Sequence, residues 1–416
     1  MKFLLRTHGC RANQYDSEAV RAMLLSAGAS EVTTADEADV AIFNSCSVTA
    51  AAEVELRKGV RRVARLNPAV RTIVMGCAPG LSARDERVAP LRTLPTVSDT
   101  VVGADLKLIA STLGLRTAVG PNSPRMQTGA RALLRIQDGC DEHCTFCATT
   151  LARGSNRSRS PHELVAEARA LADSHPEIVL TGIHIGSYGL DIGSSLSLLV
   201  EALVTGIPRV RFRLSSLEAT EVDDRLCNLM TDPSRLAPYL HAPLQSGSDR
   251  VLKRMGRHWY TARSYQTSIE RIIGSRTVFG LGADIICGFP GETEDDHLQT
   301  VALVERLPFT SLHVFPYSPR PGAVASRLGD TVGSTEVDRR CSNLREISRR
   351  KASKYSDLRA GQQADVVAIS TDEGLTEDYL TVGISAPHIR RRDRFDATLM
   401  FGSERLTAVT ADTLEA

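Results

Sequence analysis

The chain opens with three short hydrophobic runs of β-prone residues, separated by amphipathic helical patterns. The runs are Phe3-Leu4-Leu5, Asp39–Phe43 and Thr72–Met75, and the helical patterns are Ser17–Ala27 and Ala51–Leu66. This strand–helix alternation predicts a parallel sheet with helices against it. Residues Pro90–Met126 have the pattern of a tail helix followed by a linker, Gly120–Pro124. We therefore expect a first α/β domain over residues 1–120.

A cysteine follows each of the three runs. Cys10, Cys46 and Cys77, here called the strand-end cysteines, come within a few residues of the ends of the predicted strands. The carboxyl ends of parallel strands share one edge of a sheet, and ligands bind at that edge in such folds. We therefore expect the three cysteines to meet at one place, although they are far apart in the sequence.

A second strand–helix series begins at Ala132. Its predicted strands are Ala132–Gln137, Glu177–Thr181, Arg209–Leu214, Pro238–His241, Gly282–Cys287 and Ser311–Phe315. Helical patterns such as Pro161–Ala172 and Asp295–Arg306 fall between them. Six strand–helix units predict an open partial (β/α)6 barrel over residues 126–359, with its active site at the carboxyl ends of the strands.

The pattern changes again after a basic helical stretch, Asp338–Arg359. Between residues 361 and 416, four short runs have β-type alternation; they are Asp365–Ile369, Thr381–Ile384, Arg394–Leu399 and Arg405–Val409. Several short alternating runs predict a small β-barrel. The expected fold class is thus α/β, with an N-terminal parallel-sheet domain, a central partial barrel and a C-terminal β-barrel.

The composition excludes several classes of protein. The 416 residues are 42% hydrophobic and 24% charged, as in ordinary globular proteins, and the net charge of +1 excludes a uniformly basic nucleic-acid coat. No apolar run approaches the roughly 20 residues that span a bilayer. Phe3-Leu4-Leu5 is too short for the core of a secretory signal, so we expect a cytoplasmic protein. The nine cysteines are an odd number, and in a reducing compartment clustered cysteines more often bind metal than form disulfides.

The strongest chemical motif is a C-x3-C-x2-C segment directly after the first strand of the second series. Its members, Cys140, Cys144 and Cys147, are here called the motif cysteines. Three thiolates can hold three irons of a 4Fe–4S cluster, which normally takes four cysteine ligands, so one iron is left open for a substrate. Zinc is the alternative, because it takes four ligands and His143 or a remote cysteine can complete them. The spacing and the surrounding strand–helix series favour the iron–sulfur cluster.

Landmark segments along nearly the whole chain resemble one enzyme family. They are Gly9–Glu18, Asn44–Thr49, Gly76-Cys77, Gly139–Gly154, Leu180–Gly189, Arg213–Glu218, Pro243–Ser248, Asp284–Glu292 and His313–Gly322. Together they resemble the radical S-adenosylmethionine (SAM) methylthiotransferases. The Asn-Ser-Cys-Ser-Val-Thr and Pro-Tyr-Ser-Pro-Arg-Pro-Gly segments resemble the branch that acts on threonylcarbamoyladenosine in tRNA.

The resemblance implies two 4Fe–4S clusters and SAM as cofactors. The motif cysteines would hold the cluster whose open iron binds SAM, which on reduction is cleaved to methionine and a 5′-deoxyadenosyl radical. The strand-end cysteines would hold the second cluster, whose open iron carries the sulfur or methylthio group to be inserted. A lone cysteine after a strand is most often a small buried hydrophobe, but three after three parallel strands favour a ligand set.

The activity that the resemblance implies is conversion of N6-threonylcarbamoyladenosine at position 37 of a tRNA, 3′ of the anticodon, to its 2-methylthio derivative. One SAM molecule would supply the methyl group and a second would supply the radical. The implied partners are the tRNA anticodon stem-loop and a reductant such as flavodoxin or ferredoxin. Two alternatives stay open: a methylthiotransferase for isopentenyladenosine in tRNA or for a ribosomal protein, and a non-catalytic zinc-dependent RNA-binding protein.

Candidate residues for binding SAM lie where the predicted barrel strands end. They are Gly182, Ser215, Glu218, Gln245 and Asp284. Their segments belong to the active edge of the barrel, and a glycine such as Gly182 lets the backbone approach a ligand closely. No catalytic residue is predicted, because no Ser/His/Asp triad or carboxylate pair stands out and radical chemistry requires none.

The C-terminal module of the family is a small RNA-binding β-barrel of the TRAM type. Here residues 361–416 hold five basic and ten acidic side chains, which opposes phosphate binding. Only Arg390–Arg392 with Arg394 form a basic spot in it. Better candidates to face phosphates are the basic helix Arg339–Arg359 and the stretch Arg57–Arg65.

The other cysteines match no ligand position of the family. Cys227 and Cys341 lie in helical patterns and Cys287 in an apolar strand, so all three are expected to be structural. His8 and His143 adjoin candidate ligands, but we expect them to pack or to form hydrogen bonds rather than to bind metal.

Overall fold

The structure, a computed structural model of the chain, describes residues 1–46, 50–84, 90–115, 126–386, 388–402 and 405–411. Internal contacts divide the chain into two units. The first comprises Met1–Met126, Gln137–Ser158 and Ser318–Arg327, and the second comprises Gln127–Ile136, Arg159–Tyr317 and Leu328–Ala416. The three functional domains predicted from the sequence, at residues 1–120, 126–359 and 361–416, are a different division of the chain, and their limits stay a prediction.

A parallel five-stranded sheet forms the centre of the first unit. In spatial order its strands are β2 (Ser30–Glu31), β1 (Lys2–Thr7), β3 (Val40–Ser45), β4 (Arg71–Gly76) and β5 (Val97–Val102). The helices are α1 (Arg11–Ser26), α2 (Ala50–Leu66), α3 (Cys77–Arg84) and α4 (Leu106–Thr112). Strand β3 is buried throughout. Because side chains alternate along a strand, Ile42 packs with Leu24 of α1, whereas Phe43 packs with Leu56 of α2 on the other face.

The end of the first unit differs from the prediction. A tail helix was expected directly after Pro90, but the structure has the additional strand β5 before the short helix α4. The sequence of β5, Val-Ser-Asp-Thr-Val-Val, does not alternate, because this edge strand buries only Val101. The predicted linker Gly120–Pro124 lies outside the described residues.

The segment that carries the motif cysteines belongs to the first unit. It starts with β7 (Gln137–Asp138), continues through a loop to α5 (Thr149–Arg153), and ends with β8 (Arg157–Ser158). Strands β7 and β8 pair antiparallel and close this segment at its base.

Six parallel strands form an open partial barrel in the second unit, as predicted. They are β6 (Ala132–Arg135), β9 (Glu177–Thr181), β10 (Arg211–Leu214), β11 (Tyr239–His241), β12 (Gly280–Cys287) and β13 (Ser311–Pro316). Two three-stranded sheets, β10-β9-β6 and β11-β12-β13, are joined through bridges at Phe212–Leu236 and Ser216–His241. The helices are α6 (Pro161–Leu171), α7 (Leu196–Gly206), α8 (Asp224–Leu229), α9 (Asp249–Arg254), α10 (Ala262–Ile273), α11 (Glu294–Arg306) and α12 (Ser334–Arg359).

The two faces of β12 differ in burial. Ala283, Ile285 and Cys287 belong to the hydrophobic core that includes the helices. Asp284 and Ile286 lie on the opposite face and are only half-buried. Phe315 of β13, which pairs with Ile286, is 44% exposed. The inner face of the partial barrel is therefore open on this side.

A closed five-stranded barrel forms the C-terminal part of the second unit. Its strands are β14 (Gln363–Ala368), β15 (Glu373–Thr376), β16 (Thr381–Ser385), β17 (Arg394–Phe401) and β18 (Leu406–Val409). The predicted α/β fold class with a C-terminal β-barrel is confirmed. The four predicted runs correspond to β14, β16, β17 and β18, whereas β15 was not predicted, because it has only four residues, one of them glycine, and gives little hydrophobic alternation.

A buried ion network fastens this barrel to the central strands within the second unit. Arg211 and Arg213 of β10 are fully buried and pair with Glu177 of β9 at 2.7 and 2.8 Å. Arg213 also donates to the backbone oxygens of Thr376 and Glu377, both at 3.0 Å. Each of these guanidinium groups therefore has anionic and carbonyl acceptors away from water.

None of the helices in the described part of the chain has the length and apolar character needed to cross a membrane.

Candidate active site

The strand-end cysteines follow three neighbouring strands. Cys10 is the N-cap of α1 after β1, Cys46 follows β3 directly, and Cys77 follows β4 as the first residue of α3. Strands β1, β3 and β4 are adjacent in the sheet, so their carboxyl ends lie side by side. Cys46 and Cys77 are buried and Cys10 is exposed. The three thiols thus form a group that is open to solvent on the side of Cys10.

Asn13 and Gly9 determine how closely these thiols approach. The Oδ1 of Asn13 lies 3.4 Å from the Sγ of Cys10 and 3.9 Å from the Sγ of Cys77. Its Nδ2 donates to the Oδ1 of Asn44 at 2.9 Å, which fixes the orientation of the amide. Gly9 has φ of +120°, and a Cβ there would lie 2.7 Å from the Cβ of Cys46. Only glycine accommodates both the backbone conformation and this contact.

The motif cysteines lie in the loop between β7 and α5. All three are half-buried. The backbone N–H of Cys147 donates to the carbonyl oxygen of Cys144 at 3.1 Å, and the N–H of Thr149 donates to the Sγ of Cys147 at 3.3 Å. The N–H of Cys140 donates to the oxygen of Gly154 at 3.0 Å. These bonds order the turn from Cys144 to Thr149 and fix the start of the loop against Gly154.

Arg153, the last residue of α5, links the strand-end cysteines to the segment that carries the motif cysteines within the first unit. Its Nε donates to the Sγ of Cys77 at 3.2 Å, and its Nη2 donates to the Oδ1 of Asn13 at 3.0 Å. It pairs with Asp16 of α1 at 2.9 Å and with Asp138 of β7 at 3.3 Å. The side chain of Arg153 is 1% exposed, so this cation is fixed beside the strand-end cysteines.

Burial and neighbouring charges shift the pKa values of Arg153 and Cys77 in opposite directions. Burial acts to lower the pKa of Arg153, but the anionic groups of Cys77, Asp16 and Asp138 outweigh it and raise that pKa well above its usual value. Burial raises the pKa of the Cys77 thiol, and Arg153 offsets this in part. Arg153 is therefore a permanent cation that favours the anionic form of Cys77.

The residues predicted to bind SAM lie in the second unit. Gly182 follows β9, Ser215 and Glu218 follow β10, and Gln245 follows β11, all at the carboxyl edge of the barrel. Asp284 lies within β12 instead of beyond its end. Gln245 adopts φ of +64° and forms a parallel bridge with Ile285, which orders the segment after β11.

Glu218 already has strong partners in this structure. Its carboxylate accepts hydrogen bonds from Arg257 and from the indole nitrogen of Trp259. Burial raises the pKa of Glu218, with Arg257 acting against it. The Arg257 guanidinium also lies 5.0 Å from the centre of the Trp259 ring. The polar group at this strand end is therefore a carboxylate–guanidinium–indole cluster.

Asp284 accepts hydrogen bonds from two imidazoles. The Nε2 of His241 lies 3.0 Å and the Nδ1 of His313 lies 3.2 Å from its Oδ1. Burial acts to raise the pKa of Asp284, but these two bonds outweigh it and hold that pKa well below its usual range. The three ligand atoms lie within 4.8 Å of one another, and they are of the kinds that a divalent transition metal accepts.

The sequence indicated the cysteines but gave no sign of Arg153, Arg257 or Trp259. Arg153 lies inside the motif segment, but its partners Asp16 and Cys77 are 137 and 76 residues away. No local periodicity encodes such a contact. The sequence showed only that Arg153 is a basic residue close to the motif cysteines, which does not reveal its partners.

The cysteines outside the two trios and His8 pack against other groups of the protein, whereas His143 is exposed. Cys287 and Cys341 are part of the hydrophobic core of the second unit, and Cys227 packs against it. His8 stacks on Phe43 with a ring separation of 6.4 Å.

Two family models match successive parts of the chain. Residues 2–103 match the family described as "Uncharacterized protein family UPF0004", and residues 134–304 match the radical SAM superfamily. Among solved structures, two of the radical SAM methyltransferase TsrM from Kitasatospora setae resemble this chain. The one with tryptophan and a SAM analogue has a TM-score of 0.57 at 14% identity and covers 76% of this chain and 72% of TsrM. The one with cobalamin and a [4Fe-4S] cluster has a TM-score of 0.55 at 15% identity and covers 76% and 74%.

Three sequence relatives extend over most of this chain, and each is a threonylcarbamoyladenosine tRNA methylthiotransferase MtaB. The protein of Aquifex aeolicus is 31% identical over 399 residues, covering 92% of this chain and 96% of its own. That of Thermotoga maritima is 34% identical over 380 residues, covering 88% and 86%. That of Bacillus subtilis is 31% identical over 405 residues, covering 92% and 88%.

The barrel, the motif cysteines and the superfamily match define the class of the protein as a radical SAM enzyme. Its cofactors are accordingly SAM and 4Fe–4S clusters. With relatives of 31–34% identity over nearly the whole length, the chain belongs to the MtaB family of methylthiotransferases.

Proposed function

We propose that this enzyme converts N6-threonylcarbamoyladenosine at position 37 of tRNA to its 2-methylthio derivative. The activity named for the three relatives supports this substrate. The observation that carries the proposal is the presence of two cysteine trios in one unit of the structure, with Arg153 in contact with the first trio and with the segment of the second. Insertion of a methylthio group needs a sulfur-carrying site as well as a site that generates the radical.

Each trio has the donor chemistry of an iron–sulfur site. We assign the SAM-binding cluster to Cys140, Cys144 and Cys147, and the second cluster to Cys10, Cys46 and Cys77. Three thiolates satisfy three of the four irons of a 4Fe–4S cluster and leave one for an exchangeable ligand. When bound, the clusters and SAM supply the electron, the radical chemistry and the methylthio group.

The side chains around the strand-end cysteines position and neutralise that site. A trio of thiolates is a concentrated negative charge in a largely buried place, and the fixed guanidinium of Arg153 reduces its electrostatic cost. Asn13 accepts from two of the thiols and thereby orients them. Because Gly9 has no Cβ, it leaves room for the side chain of Cys46.

The SAM site is assigned to the carboxyl edge of the barrel. We propose that Gly182, Ser215, Glu218, Gln245 and Asp284 contribute to it. Glu218 carries a negative charge next to the cation of Arg257, a pairing that suits a ligand with both an ammonium and a carboxylate group. The N–H of Ser215 donates to the backbone oxygen of Leu180, two residues before Gly182, at 2.9 Å, so the ends of β9 and β10 lie side by side.

The partners follow from the same assignment. We propose that the tRNA is bound through its anticodon stem-loop, that a flavodoxin or ferredoxin supplies electrons, and that the reaction takes place in the cytoplasm with the bulk of tRNA modification.

Nucleoside mass spectrometry tests the proposed reaction. tRNA from a strain that lacks this gene should lose 2-methylthio-N6-threonylcarbamoyladenosine and retain the threonylcarbamoyl precursor, and the wild-type gene should restore the product. A Cys77→Ala gene is the matched negative control. Unchanged 2-methylthio product in the deletion strain, or loss of 2-methylthio-isopentenyladenosine instead, would contradict the proposal.

A further inference from the structure

The basic side chains of helix α12 are mostly engaged within the protein. Arg349 pairs with Glu346 and Arg350 pairs with Glu305. Others bind acidic side chains or backbone oxygens; they are Arg339, Arg340, Arg345, Lys351 and Arg359. Because acidic side chains or backbone oxygens already bind most of these cations, the net positive charge of this helical stretch does not produce a strong anion site.

The arginines of the C-terminal barrel are engaged in the same way. Arg394 pairs with Asp365 at 2.6 Å, and Arg405 pairs with Glu373. Arg391 and Arg392 of the basic spot donate to the backbone oxygens of Thr128 and Gln127. With twice as many acidic as basic residues between 361 and 416, the net charge of this barrel opposes phosphate binding.

Helix α2 differs from helix α12 and from the C-terminal barrel, because its basic side chains are less engaged within the protein. Its basic stripe, defined as Lys58, Arg61, Arg62 and Arg65, has the spacing i, i+3, i+4, i+7, so the four side chains lie on one face. All four are exposed, whereas Leu56, Val60 and Val63 on the opposite face are buried in the core. The ranges that the structure describes contain no hydrogen-bond or ion-pair partner for the three arginine side chains of the stripe.

The four basic residues of the stripe are not all explained by a contribution to the stability of helix α2. A cation favours the carboxyl end of a helix only in its last turn, which accounts for Arg65 but not for Arg61 and Lys58. Like charges four residues apart repel, and both Lys58/Arg62 and Arg61/Arg65 have this spacing. Acidic residues of α2 lie only in its first half, at Glu53 and Glu55. In the described part of the chain only Lys58 of the stripe pairs with an acid, Glu55 at 3.1 Å, so the three arginines lack an internal anion, which points to an external one.

We propose that the basic stripe of α2 binds the phosphate backbone of the tRNA substrate. This inference rests on the proposed function, because it requires tRNA as the substrate. The stripe extends over seven residues, or roughly 10 Å at about 1.5 Å per residue. A nucleic-acid duplex presents one phosphate per strand every 3.4 Å or so along its axis, so about three phosphates face this length. Guanidinium forks match phosphate oxygens in geometry as well as charge.

The salt dependence of tRNA binding tests the stripe. Threonylcarbamoylated tRNA is titrated with reconstituted enzyme at several KCl concentrations, using the Arg61→Gln/Arg62→Gln/Arg65→Gln variant and the wild type. The matched control, Arg339→Gln/Arg349→Gln/Arg350→Gln on α12, removes the same charge from exposed arginines that have internal partners. The expected loss of two to three phosphate contacts lowers the slope of log K against log salt by about 2 and the affinity at 0.1 M salt by about tenfold or more.

The results separate three explanations. A loss of slope and affinity in the α2 variant alone supports the stripe. Equal losses in both variants, or no loss in the α2 variant, overturn it. An acidic protein is the other class of partner that fits a basic face, so the rate of cluster reduction by reduced flavodoxin is measured in parallel. Slower reduction with unchanged tRNA affinity assigns the surface to the reductant and also overturns the proposal.

Failure of this inference is distinguishable from failure of the proposed function. Wild-type enzyme that forms the 2-methylthio product, together with an α2 variant that binds tRNA normally, refutes only the stripe. Wild-type enzyme that neither binds nor modifies threonylcarbamoylated tRNA refutes both. Iron and sulfide contents equal to wild type verify that the α2 variant is folded and loaded with its clusters.

Discussion

Arg153 donates a hydrogen bond from its Nε to the Sγ of Cys77 over 3.2 Å, although 76 residues separate them in the chain. The same guanidinium pairs with Asp138, two residues before Cys140, at 3.3 Å. One buried cation thus contacts the strand-end cysteines and the segment of the motif cysteines. The positioning of Cys77 and the loading of its cluster should therefore depend on Arg153.

Loss of Arg153 should destabilise the protein even without clusters. In Arg153→Met, the fully buried carboxylate of Asp16 loses its pair with Arg153, and we expect the free energy of unfolding to fall by about 3–5 kcal/mol. Urea unfolding of the apo protein measures this change. The control Arg71→Met removes a partly exposed pair with Asp99 and should cost less than about 1 kcal/mol. A change below that value in Arg153→Met would contradict the role assigned to Arg153.

A methyl group at Gly9 should block the second cluster. Gly9→Ala introduces a Cβ within 2.7 Å of the Cβ of Cys46 at φ of +120°, so the backbone beside Cys10 must shift. We expect reconstituted Gly9→Ala to hold about four irons, the content of a single 4Fe–4S cluster.

The control for this variant is Gly28→Ala. Gly28 also has a positive φ, of +80°, but no atom lies within 4 Å of the added Cβ. This variant should lose only about 1 kcal/mol of stability from backbone strain and should keep the wild-type iron content. Equal iron in the two variants and the wild type would show that the close approach at Gly9 is unimportant for cluster loading.

Glu177 should be essential for the stability of the second unit. Its carboxylate lies between Arg211 and Arg213, and all three side chains are fully buried. Glu177→Gln leaves two buried cations without this anion, so we expect a loss of about 3–5 kcal/mol in the free energy of unfolding. A surface control is Glu201→Gln, whose pair with Arg225 is about half exposed on both sides. A similar small effect of both substitutions would contradict the interpretation.

The contribution of Glu177 should also depend on pH. Burial acts to raise its pKa, but Arg213 and Arg211 outweigh it and hold the pKa of Glu177 well below its usual range. The unfolded chain takes up a proton near pH 4.3 or so, where the folded carboxylate stays ionised. The stability difference between wild type and Glu177→Gln should therefore be complete above this pH and should shrink as the pH falls below it. A difference that stays constant between pH 7 and pH 3.5 would be inconsistent with this linkage.

Glu218 should contribute to SAM binding without affecting the clusters. Removing its charge in Glu218→Gln disrupts the cluster with Arg257 and Trp259 at the carboxyl edge of the barrel. We expect a dissociation constant for SAM raised by about tenfold or more, the effect of losing a hydrogen bond to a charged group. Equilibrium dialysis of reconstituted enzyme measures it, with unchanged iron content as the internal control. Unaltered SAM affinity would remove Glu218 from the proposed site.

Local sequence patterns were sufficient for most of the fold. Strand β9, Glu177–Thr181, was predicted with its observed limits, because five buried residues in a row leave a clear signal. The edge strand β5 and the short strand β15 were missed, because a strand that buries few side chains imposes little pattern on its sequence. Strand burial therefore determined which elements were predictable.

The candidate site was predictable only in part. Cysteine spacing and strand ends indicated both trios, since ligands at the edge of a parallel sheet follow its strands. The partners of those ligands were not predictable, because Arg153 meets Asp16 and Cys77 through tertiary packing alone. For the same reason the sequence left α2 and α12 as equal candidates for phosphate binding. The side-chain pairs of α12 separate the two.

The central claim is that the enzyme holds two iron–sulfur clusters, one on each cysteine trio, and iron analysis after anaerobic reconstitution tests it most directly. The wild type should contain about eight irons, Cys77→Ala and Cys140→Ala about four each, and the core-cysteine control Cys341→Ala about eight. Cys77→Ala should still bind SAM at its remaining cluster, whereas Cys140→Ala should not. A wild-type enzyme with four or fewer irons that still forms the normal amount of modified base would contradict the account.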